Sequence, residues 1–335
     1  FSLCASDAAQ SCAPEGAKDL NGALRALNRT LRELRTAFKV FRRYRWCRKV
    51  AIFGSARTQP HEPTYRLAAE FGRLIADAGW MVVTGAAGGI MEAGHAGAGR
   101  EASMGLNIML PFEQADNPVI AGDPKLVHMK YFFTRKLMFV KESHAVCLLP
   151  GGFGTLDEGI EVLTLLQTGK RDPIPVVLLD EPNGTYWRDF EKLLVDQLLA
   201  RGMIDEDDLA LYRLCTSAEA AADEILHFYR NFHSVRYVRH HLVMRLREPP
   251  TPETLEEINE TFRDLLRSGR FRVGPPLAEE ADEPELRELP RLIFHFNRRN
   301  FGRLRRLIDL LNDRCTLDLP DGSSAPSPVV RENEA

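Results

Sequence analysis

Pro150-Gly151-Gly152-Phe153-Gly154-Thr155-Leu156-Asp157-Glu158 decides the fold predicted for this chain. The apolar residues 145–149 before it are typical of a buried parallel strand, and residues 160–166 after it have the apolar spacing of a helix. We therefore expect a strand, a glycine loop and a helix that begins at Thr155. Glycines let the backbone turn sharply, and the N-terminus of a helix attracts anions, so this loop is a candidate phosphate site.

The spacing of these glycines excludes two common phosphate-binding loops. Asp157 stands where the dinucleotide fingerprint requires a third glycine, and no Gly-Lys-Ser/Thr sequence follows, as a Walker loop requires. A purely structural interpretation stays open, because close packing of a strand against a helix also needs glycine.

Alternating strands and helices fill the middle of the chain. Strands are predicted at residues 49–53, 80–84, 106–110, 145–149 and 174–179. Helices are predicted at residues 63–78, from residue 90, and at residues 131–143, 186–200 and 217–230, and residues 111–125 are predicted to form a loop. This order is typical of an α/β protein with a Rossmann-like, doubly wound parallel sheet.

Three of the predicted strands end in glycine-containing turns. These turns contain Gly54-Ser55, residues 85–89 and residues 151–154. The carboxyl ends of parallel strands share one edge of a sheet, and ligands bind beyond that edge. Three such turns at one edge favour a nucleotide or a sugar phosphate as the ligand.

A long amphipathic helix is predicted before the first strand. Its apolar residues alternate in steps of four and three: Leu20, Leu24, Leu27, Leu31, Leu34, Phe38 and Phe41. The spacing predicts packing on the body of the protein or on a partner subunit, and a coiled-coil seam would show the same spacing. Its basic opposite face is interpreted as solvated rather than as an RNA-binding stripe.

The pattern changes after about residue 232. Strands are predicted at residues 235–246, 271–273 and 292–296, and helices at residues 252–267 and 301–311. This order predicts a small α+β domain with an antiparallel sheet. We therefore divide the chain into a flexible start with the amphipathic helix (1–46), a Rossmann-like domain (47–232), the α+β domain (233–316) and a disordered tail (317–335).

The composition indicates a cytoplasmic protein without a polyanionic partner. The 44 Lys and Arg residues nearly balance the 47 Asp and Glu residues, which gives no argument for binding nucleic acid or an anionic membrane. No apolar run approaches the roughly 20 residues that span a bilayer. The six cysteines lack Cys-x-x-Cys spacing, which indicates reduced thiols and no zinc site.

The signature string resembles that of the LOG family, the cytokinin riboside 5′-monophosphate phosphoribohydrolases, many of which carry an older label of lysine decarboxylase. The resemblance covers roughly residues 47–230 and includes Arg135-Lys136 and the loops at residues 54–57 and 84–93. It implies that Arg135 and Glu158 are the catalytic pair. It also implies that the substrate or its phosphate is bound by Gly54, Ser55, Thr84, Gly85, Gly88, Gly89, Glu92, Lys136, Gly151, Gly152, Gly154 and Thr155.

A carboxylate and a guanidinium suit the hydrolysis of an N-glycosidic bond. Glu158 would stabilise an oxocarbenium-like sugar and orient or deprotonate water. Arg135 would hold phosphate or sugar oxygens and keep Glu158 ionised, and the scheme requires no metal and no cofactor. Structural interpretations remain, with Arg135 paired to Glu142 and Glu158 stabilising the helix dipole. The isolated His95, His128 and His144 are interpreted as structural or solvated.

The chain departs from the family pattern in two places, the second glycine loop and the residue two before Arg135. Ala86 and Ala87 stand where the second loop of the family commonly has glycines, so they would narrow the ligand site or require another backbone path. Phe133 stands where short members often have a histidine before the Arg-Lys pair, so recognition of the base would differ.

The first functional hypothesis is hydrolysis of a purine nucleoside 5′-monophosphate, AMP or an N6-modified AMP, to free base and ribose 5-phosphate. The alternative is a non-catalytic nucleotide- or cofactor-binding Rossmann-like protein. A decarboxylase would need pyridoxal phosphate on a lysine, and Lys136 is the candidate near the site. The family resemblance and the apolar stripe of the first helix also predict a homo-oligomer, a dimer or higher.

Overall fold

The computed structural model describes residues 15–108 and 115–317. The predicted flexible start up to residue 14, the tail from residue 318, and residues 109–114 of the predicted third strand and loop lie outside the described residues. In the described part, no helix has both the length and the apolarity needed to cross a membrane.

Seven parallel strands form the central sheet in the order β4-β3-β2-β1-β5-β6-β7. Their bounds are β1 Lys49–Phe53, β2 Met81–Thr84, β3 Ser103–Ile108, β4 Leu126–Met129, β5 Ala145–Leu148, β6 Val176–Leu179 and β7 Arg213–Cys215. Every residue of β1, β2, β3, β5 and β6 is buried, as expected when helices cover both faces. The predicted doubly wound parallel sheet is confirmed.

The strand order reverses between β1 and β5, which are paired directly. Phe53 at the end of β1 pairs with Leu148 near the end of β5. The loops that follow these strands therefore leave the sheet side by side, and a crevice opens where the connections turn in opposite directions. This switch point is the place at which such sheets bind their ligands.

Two layers of helices cover the sheet. One face packs against α2 (Pro63–Asp77), α3 (Ile90–Ala98) and α7 (Ala218–Phe228), and the other against α1 (Glu15–Arg42), α4 (Phe132–Glu142), α5 (Phe153–Gln167) and α6 (Tyr186–Leu193). The helix predicted at residues 186–200 continues beyond α6 as a π-helical turn at Leu194–Leu199.

The helix after the signature strand begins two residues earlier than predicted. Gly152 is its N-cap, with an extended backbone at φ −86° and ψ −160°, and Phe153 is its first residue. The prediction that the helix begins at Thr155 is therefore wrong. Phe153 and Gly154 thus belong to the first turn of the helix.

The long helix α1 packs on the body through its C-terminal half. Ala37 and Phe41, in the C-terminal half of α1, are fully buried, whereas Leu24 and Leu31 nearer its start are 53% and 67% exposed. The buried Glu33 fastens the middle of α1, since its carboxylate accepts hydrogen bonds from the Lys130 backbone N–H (3.0 Å) and from the Thr134 hydroxyl (2.8 Å). The apolar stripe toward the N-terminus thus has no cover within the described chain.

A four-stranded antiparallel sheet follows, in the order β10-β11-β9-β8. Its elements are β8 Phe232–Val238, β9 His241–Leu246, α8 Pro252–Thr261, β10 Leu266–Gly274, β11 Arg291–Phe296 and α9 Phe301–Asp313. The core beneath it is continuous with one face of the parallel sheet, and the rings of Phe228 and Phe232 lie 5.2 Å apart at the junction.

The prediction of a single strand at residues 235–246 is wrong. Residues 232–246 form the β8–β9 hairpin, in which Val238 pairs with His241 across the turn residues Arg239 and His240. Arg239 adopts a left-handed conformation, with φ +53°, although a two-residue hairpin turn usually signals itself with Gly or Asn. The short edge strands β4 and β7 were also absent from the prediction, and α8 ends at Thr261 rather than near residue 267.

Candidate active site

A cleft of about 640 Å³ opens at the carboxyl ends of β1 and β5. Eight of the fourteen residues predicted for the site line it: Gly54, Ser55, Gly85, Arg135, Gly152, Gly154, Thr155 and Glu158. They come from the loops after β1, β2 and β5 and from helices α4 and α5. The convergence of glycine turns predicted from the sequence is therefore present at this edge of the sheet.

The N-terminus of α5 forms one wall of the cleft. Gly152 and Gly154 are exposed, and a Cβ atom added to either would meet no atom within 4 Å. The first N–H groups of a helix lack acceptors within the helix, and they carry the positive end of its dipole. This wall can therefore hold the oxygens of a phosphate.

Gly151 allows close packing between the loop after β1 and the start of α5. A Cβ atom at this position would lie 2.2 Å from the Thr155 hydroxyl oxygen and 2.9 Å from the Ser55 nitrogen. Its carbonyl accepts a 2.6 Å hydrogen bond from the Tyr186 hydroxyl. Gly151 is outside the cleft lining, and its lack of a side chain lets the loops after β1 and β5 approach each other.

Ser55 joins the three glycine loops through its backbone. Its N–H donates to the Pro150 carbonyl (3.1 Å), and its carbonyl accepts from the Ile90 N–H at the start of α3 (3.0 Å). Its hydroxyl accepts from the Arg57 N–H (3.1 Å), which closes the turn after β1. These bonds set the relative positions of the loops that form the cleft.

Glu158 is the buried acid of the cleft, with only 5% of its surface exposed. Burial raises its pKa to about 7, although Lys136 and Arg135 act to lower it. Arg135 therefore favours the ionised form of Glu158, as expected, but loss of hydration outweighs the attraction of the two cations. At neutral pH the carboxyl group is poised between its two protonation states.

Arg135 projects from α4 into the cleft between aromatic rings. Its guanidinium carbon lies 5.2 Å from the ring centre of Phe132 and 6.0 Å from that of Phe139. A Cβ atom on Gly85 would lie 3.6 Å from its terminal nitrogen, so the loop after β2 passes close to the guanidinium. Apolar walls around a fixed cation strengthen its attraction for an anionic group.

The comparisons with known proteins agree with this geometry. Residues 85–225 match the family model described as "Possible lysine decarboxylase". A cytokinin riboside 5′-monophosphate phosphoribohydrolase of Mycobacterium tuberculosis is 32% identical over 136 residues, which span 39% of this chain and 70% of that protein. The chain belongs to the LOG family. An enzyme of the same name from Mycobacterium marinum is 32% identical over 139 residues, 40% of this chain and 71% of its own length.

Among solved structures, the molybdenum cofactor binding protein of Rippkaea orientalis covers 53% of this chain and 94% of its own, at 22% identity and a TM-score of 0.35. That score is too low for the match to bear on function.

Lys136, the second residue of the LOG Arg-Lys pair, is outside the cleft lining. Its ammonium forms ion pairs with Asp157 (2.7 Å) and Glu161 (2.6 Å) on α5 and lies 3.9 Å from a Glu158 oxygen. Partial burial acts to lower the pKa of Lys136, but the hydrogen bonds that its ammonium donates to these acids raise it overall. The structure therefore places Lys136 as a link between α4 and α5, which differs from its predicted contact with the substrate.

The remaining predicted residues lie behind the lining. Gly89 has φ +67°, and a Cβ there would lie 2.3 Å from the Ser55 carbonyl oxygen, so glycine is required for the loop contact. The Thr84 hydroxyl is buried and contacts His95 Nε2 at 3.1 Å. Gly88 and Glu92, at the start of α3, are also outside the lining.

The two alanines of the second loop have different positions. Ala86 is fully buried with φ +60°, so the backbone keeps a path usual for glycine. Its carbonyl accepts from the Asn117 N–H (2.9 Å), and its N–H donates to Thr84 (3.0 Å). Ala86 does not narrow the cleft, whereas Ala87 belongs to its lining.

His95 supports this loop from below, which agrees with its structural interpretation. Its Nε2 lies 2.9 Å from the Met104 carbonyl, and its Nδ1 lies 3.2 Å from the Asn117 amide nitrogen. Burial lowers the pKa of His95 to about 4, so the ring is neutral. Nδ1 then accepts from Asn117 while Nε2–H donates, a fixed tautomer that holds loop and sheet together.

Several lining residues were missed by the sequence prediction. They are Phe53, Ala56, Arg57, Ala87, Met91, Asn107, Ile108, Phe132, Phe139 and Phe153. Arg57 could have been found, because it ends the quoted Gly54-Ser55-Ala56-Arg57 turn. Asn107, near the end of β3, has no such signal in the sequence. Its side-chain amide donates a hydrogen bond to the carboxylate of Asp116 (2.5 Å).

Proposed function

We propose that the protein hydrolyses the N-glycosidic bond of a purine nucleoside 5′-monophosphate, AMP or an N6-modified AMP, to free base and ribose 5-phosphate. The observation that carries this proposal is the meeting, in one cleft, of the buried Glu158, the guanidinium of Arg135 and the open N-terminus of α5. Each supplies a different part of the chemistry. The names of the two mycobacterial relatives agree with the reaction class.

The 5′-phosphate binds at the N-terminus of α5. Gly152 and Gly154 leave room for its oxygens beside the free N–H groups. Because the phosphate is distant from the bond that breaks, holding it positions the sugar without using the reacting atoms, which is how remote binding energy promotes a reaction.

Glu158 acts on water and on the developing sugar cation. A base is most effective when its pKa is close to the working pH, and burial raises the pKa of Glu158 to about 7. The ionised carboxylate accepts a proton from water as oxygen bonds to the anomeric carbon. The N-glycosidic bond breaks, and its electron pair leaves with the purine. The proton held by Glu158 then passes to the purine through solvent, which restores the carboxylate. Arg135 orients the sugar or phosphate oxygens.

A pyridoxal-dependent decarboxylase fits the site poorly. Formation of a Schiff base requires a neutral lysine amine within reach of the ligand. Lys136 instead has a raised pKa and is tied to Asp157 and Glu161 outside the cleft lining. The residues present therefore favour phosphate binding and hydrolysis over decarboxylation.

The second candidate function is binding of a nucleotide without hydrolysis. Ala87 favours it, because its methyl group stands in the cleft lining where the family resemblance leads us to expect glycine. The buried acid and the neighbouring guanidinium favour hydrolysis, since neither is needed merely to hold a phosphate.

Product analysis separates the two candidates. The purified protein is incubated with AMP and with N6-isopentenyl-AMP, and free base and ribose 5-phosphate are measured by chromatography. We expect both products in equal amounts from at least one substrate. Binding of either nucleotide without product would establish the non-catalytic function, and the ratio of the two rates would assign the base preference.

We also propose that the protein forms a homo-oligomer through the exposed end of α1. Leu20, Leu24, Leu27 and Leu31 are each more than half exposed along one side of this helix. Replacing Leu24 and Leu31 by Gln should lower the mass measured by light scattering without lowering the melting temperature. An unchanged mass would place any interface elsewhere.

A further inference from the structure

A group of basic residues lies at the amino edge of the parallel sheet, opposite the cleft. Arg48 immediately precedes β1, and His144 immediately precedes the neighbouring strand β5. Arg171 lies in the segment that leads into β6. β1 has five residues at about 3.3 Å each, so this edge is roughly 16 Å from the glycine loops.

Direct contacts unite these residues around Tyr229 at the end of α7. The guanidinium carbon of Arg48 lies 3.7 Å from the centre of the Tyr229 ring. Arg247 Nε donates to the Tyr229 carbonyl (3.3 Å), and the Tyr229 hydroxyl donates to the His144 carbonyl (2.7 Å). Arg171 donates to the Ser143 carbonyl beside it. We call Arg48, Arg171, Arg247 and His144 the basic cluster.

The arginines of the basic cluster differ from other arginines in this protein. The buried Arg245 and Arg291 both pair with Glu280, at 2.9 Å and 3.3 Å, and the buried Arg305 pairs with Glu224 and Asp309. Across residues 15–108 and 115–317, no carboxylate oxygen lies within 4.0 Å of a nitrogen of Arg48, Arg171 or Arg247. Their guanidinium groups bond to carbonyls or stack on rings, which leaves positive charge uncompensated.

Asp172 is the acid that acts on this region, and it compensates the charge only in part. Burial raises the pKa of Asp172, and Arg171 and Arg245 act to lower it. Within the basic cluster, the carboxylate of Asp172 acts on the guanidinium of Arg171. Burial lowers the pKa values of both Arg48 and Arg171 to about 10, so both remain charged at neutral pH.

His144 adds a neutral N–H donor to the cluster. Its Nδ1 accepts a hydrogen bond from the Lys49 backbone N–H (3.3 Å), so the ring proton resides on Nε2. Burial, the cations Lys49, Arg48 and Arg171, and the neighbouring His233 together lower its pKa to about 3. Together the cluster offers guanidinium and imidazole donors from segments far apart in the sequence.

We propose that the basic cluster is a second anion site, which binds a small phosphate anion of the pyrophosphate type between the two sheets. Guanidinium groups bind phosphate oxygens in a bidentate manner, and several of them are needed to match more than one negative charge. Arg48 lies 3.7 Å from the centre of the Tyr229 ring, and the rings of Trp80, Phe228 and Phe232 pack around Tyr229 at 5.6, 4.8 and 6.1 Å, so Tyr229 is occupied by protein groups rather than open to a nucleobase. The phosphate group itself is therefore the part recognised.

The test measures binding of inorganic pyrophosphate to the full chain by calorimetry, in an Arg135→Gln background that weakens the cleft. We expect binding in this background, at least tenfold weaker affinity after Arg247→Gln or Arg171→Gln, and unchanged affinity after Arg270→Gln. Arg270 is a matched control because it is an exposed arginine paired with Glu256 (2.7 Å). Arg247 is exposed, so its replacement keeps the test valid even where Arg171→Gln impairs folding.

Four other outcomes of these titrations are informative about the second anion site. Pyrophosphate binding by the unsubstituted protein that disappears in the Arg135→Gln background would assign the anion to the cleft and overturn the second site. Binding unaffected by Arg247→Gln, or no binding at all, would overturn it too. Equal affinity for citrate would overturn the assignment to phosphate, and ADP is expected to bind the Arg135→Gln protein no more tightly than pyrophosphate. The proposal does not depend on hydrolysis in the cleft.

Discussion

The two edges of the parallel sheet carry different kinds of hydrogen-bond donor. At the carboxyl edge, the donors are backbone N–H groups at the start of α5, placed by a contiguous glycine loop, with the acid Glu158 beside them. At the amino edge, they are side chains from Arg48, Arg171 and Arg247, which lie almost 200 residues apart. Donors from a short loop leave a signature in the sequence, whereas donors assembled by folding do not.

The carboxyl edge differs further in having a buried acid, Glu158, in the lining of an open cleft. The largest expected effect is therefore that of Glu158→Gln, which keeps the shape of the side chain and removes its charge. We expect the rate of base release from AMP to fall by about 10³-fold. Chromatography of the products under saturating substrate measures this change.

Glu161→Gln is the matched control, because Glu161 lies on the same helix, pairs with Lys136 and is outside the cleft lining. Its rate should stay within about twofold of the unsubstituted protein. Equal losses in the two variants would show that a general loss of negative charge from α5, rather than the acid of the cleft, sets the rate.

Arg135→Gln tests the guanidinium of the same edge. Loss of charge-assisted hydrogen bonds to the substrate should lower kcat/KM by about 10²-fold. Steady-state kinetics with AMP measures it, and Lys141→Gln removes an exposed charge from the same helix as a control. If the control lost as much activity as Arg135→Gln, the specific role of Arg135 would be refuted.

Alanine substitutions at the adjacent Gly151 and Gly152 should have different effects, one on packing and the other on ligand binding. Gly151→Ala places a methyl group against Thr155 and Ser55 and should lower the free energy of unfolding by about 2 kcal/mol. Gly152→Ala meets open space and should change it by less than about 0.5 kcal/mol. Urea denaturation measures both, and equal destabilisation would contradict the distinction.

Gly152→Ala should instead weaken nucleotide binding about tenfold, since its methyl group would enter the cleft. Calorimetric titration with AMP in the Glu158→Gln background measures this without turnover. An unchanged affinity would exclude Gly152 from the phosphate site.

The pH dependence gives a further contrast, because Glu158 is the group of the cleft with a pKa of about 7. Glu158 must be ionised to act as the general base, so kcat/KM should rise with pH through 7. The ionised fraction is about one-tenth at pH 6 and about nine-tenths at pH 8, which predicts a tenfold difference in rate. A flat profile between these values would exclude ionised Glu158 as the base.

The free energy of unfolding should change with pH in the opposite direction to kcat/KM. The pKa of Glu158 is raised from 4.5 in the unfolded chain, so the folded state binds more protons between these two values. The free energy of unfolding should therefore decrease as pH rises from 4.5 through 7, relative to Glu158→Gln. Thermal melts of both proteins over that range measure the difference, and parallel curves would contradict the raised pKa.

Much of the fold was readable because its signals are local. The buried strands β1, β2 and β5 appeared as apolar runs, and α2 and α3 started where the sequence placed them, at Pro63 and Ile90. The β8–β9 hairpin was missed because Arg239 takes a left-handed turn position without glycine. The edge strands β4 and β7 were missed because four and three residues show no period.

The candidate site shows the same division. Gly152, Gly154 and Glu158 were found because they lie in one short string, and they do line the cleft. Lys136 was placed with the substrate because it follows Arg135, yet the 100° step between helical neighbours points it to Asp157 and Glu161. The raised pKa of Glu158 could not be read from the sequence, because it depends on burial by distant segments.

The sequence by itself determined the alternation of the buried strands β1, β2 and β5 with their helices, the glycine turns at the strand ends and the acid that follows them. These depend on periodicity and on backbone freedom within a few residues. Only the tertiary structure decided which glycines face the cleft, the protonation of Glu158 and the gathering of arginines at the amino edge. These depend on distances and burial set by residues remote in the chain.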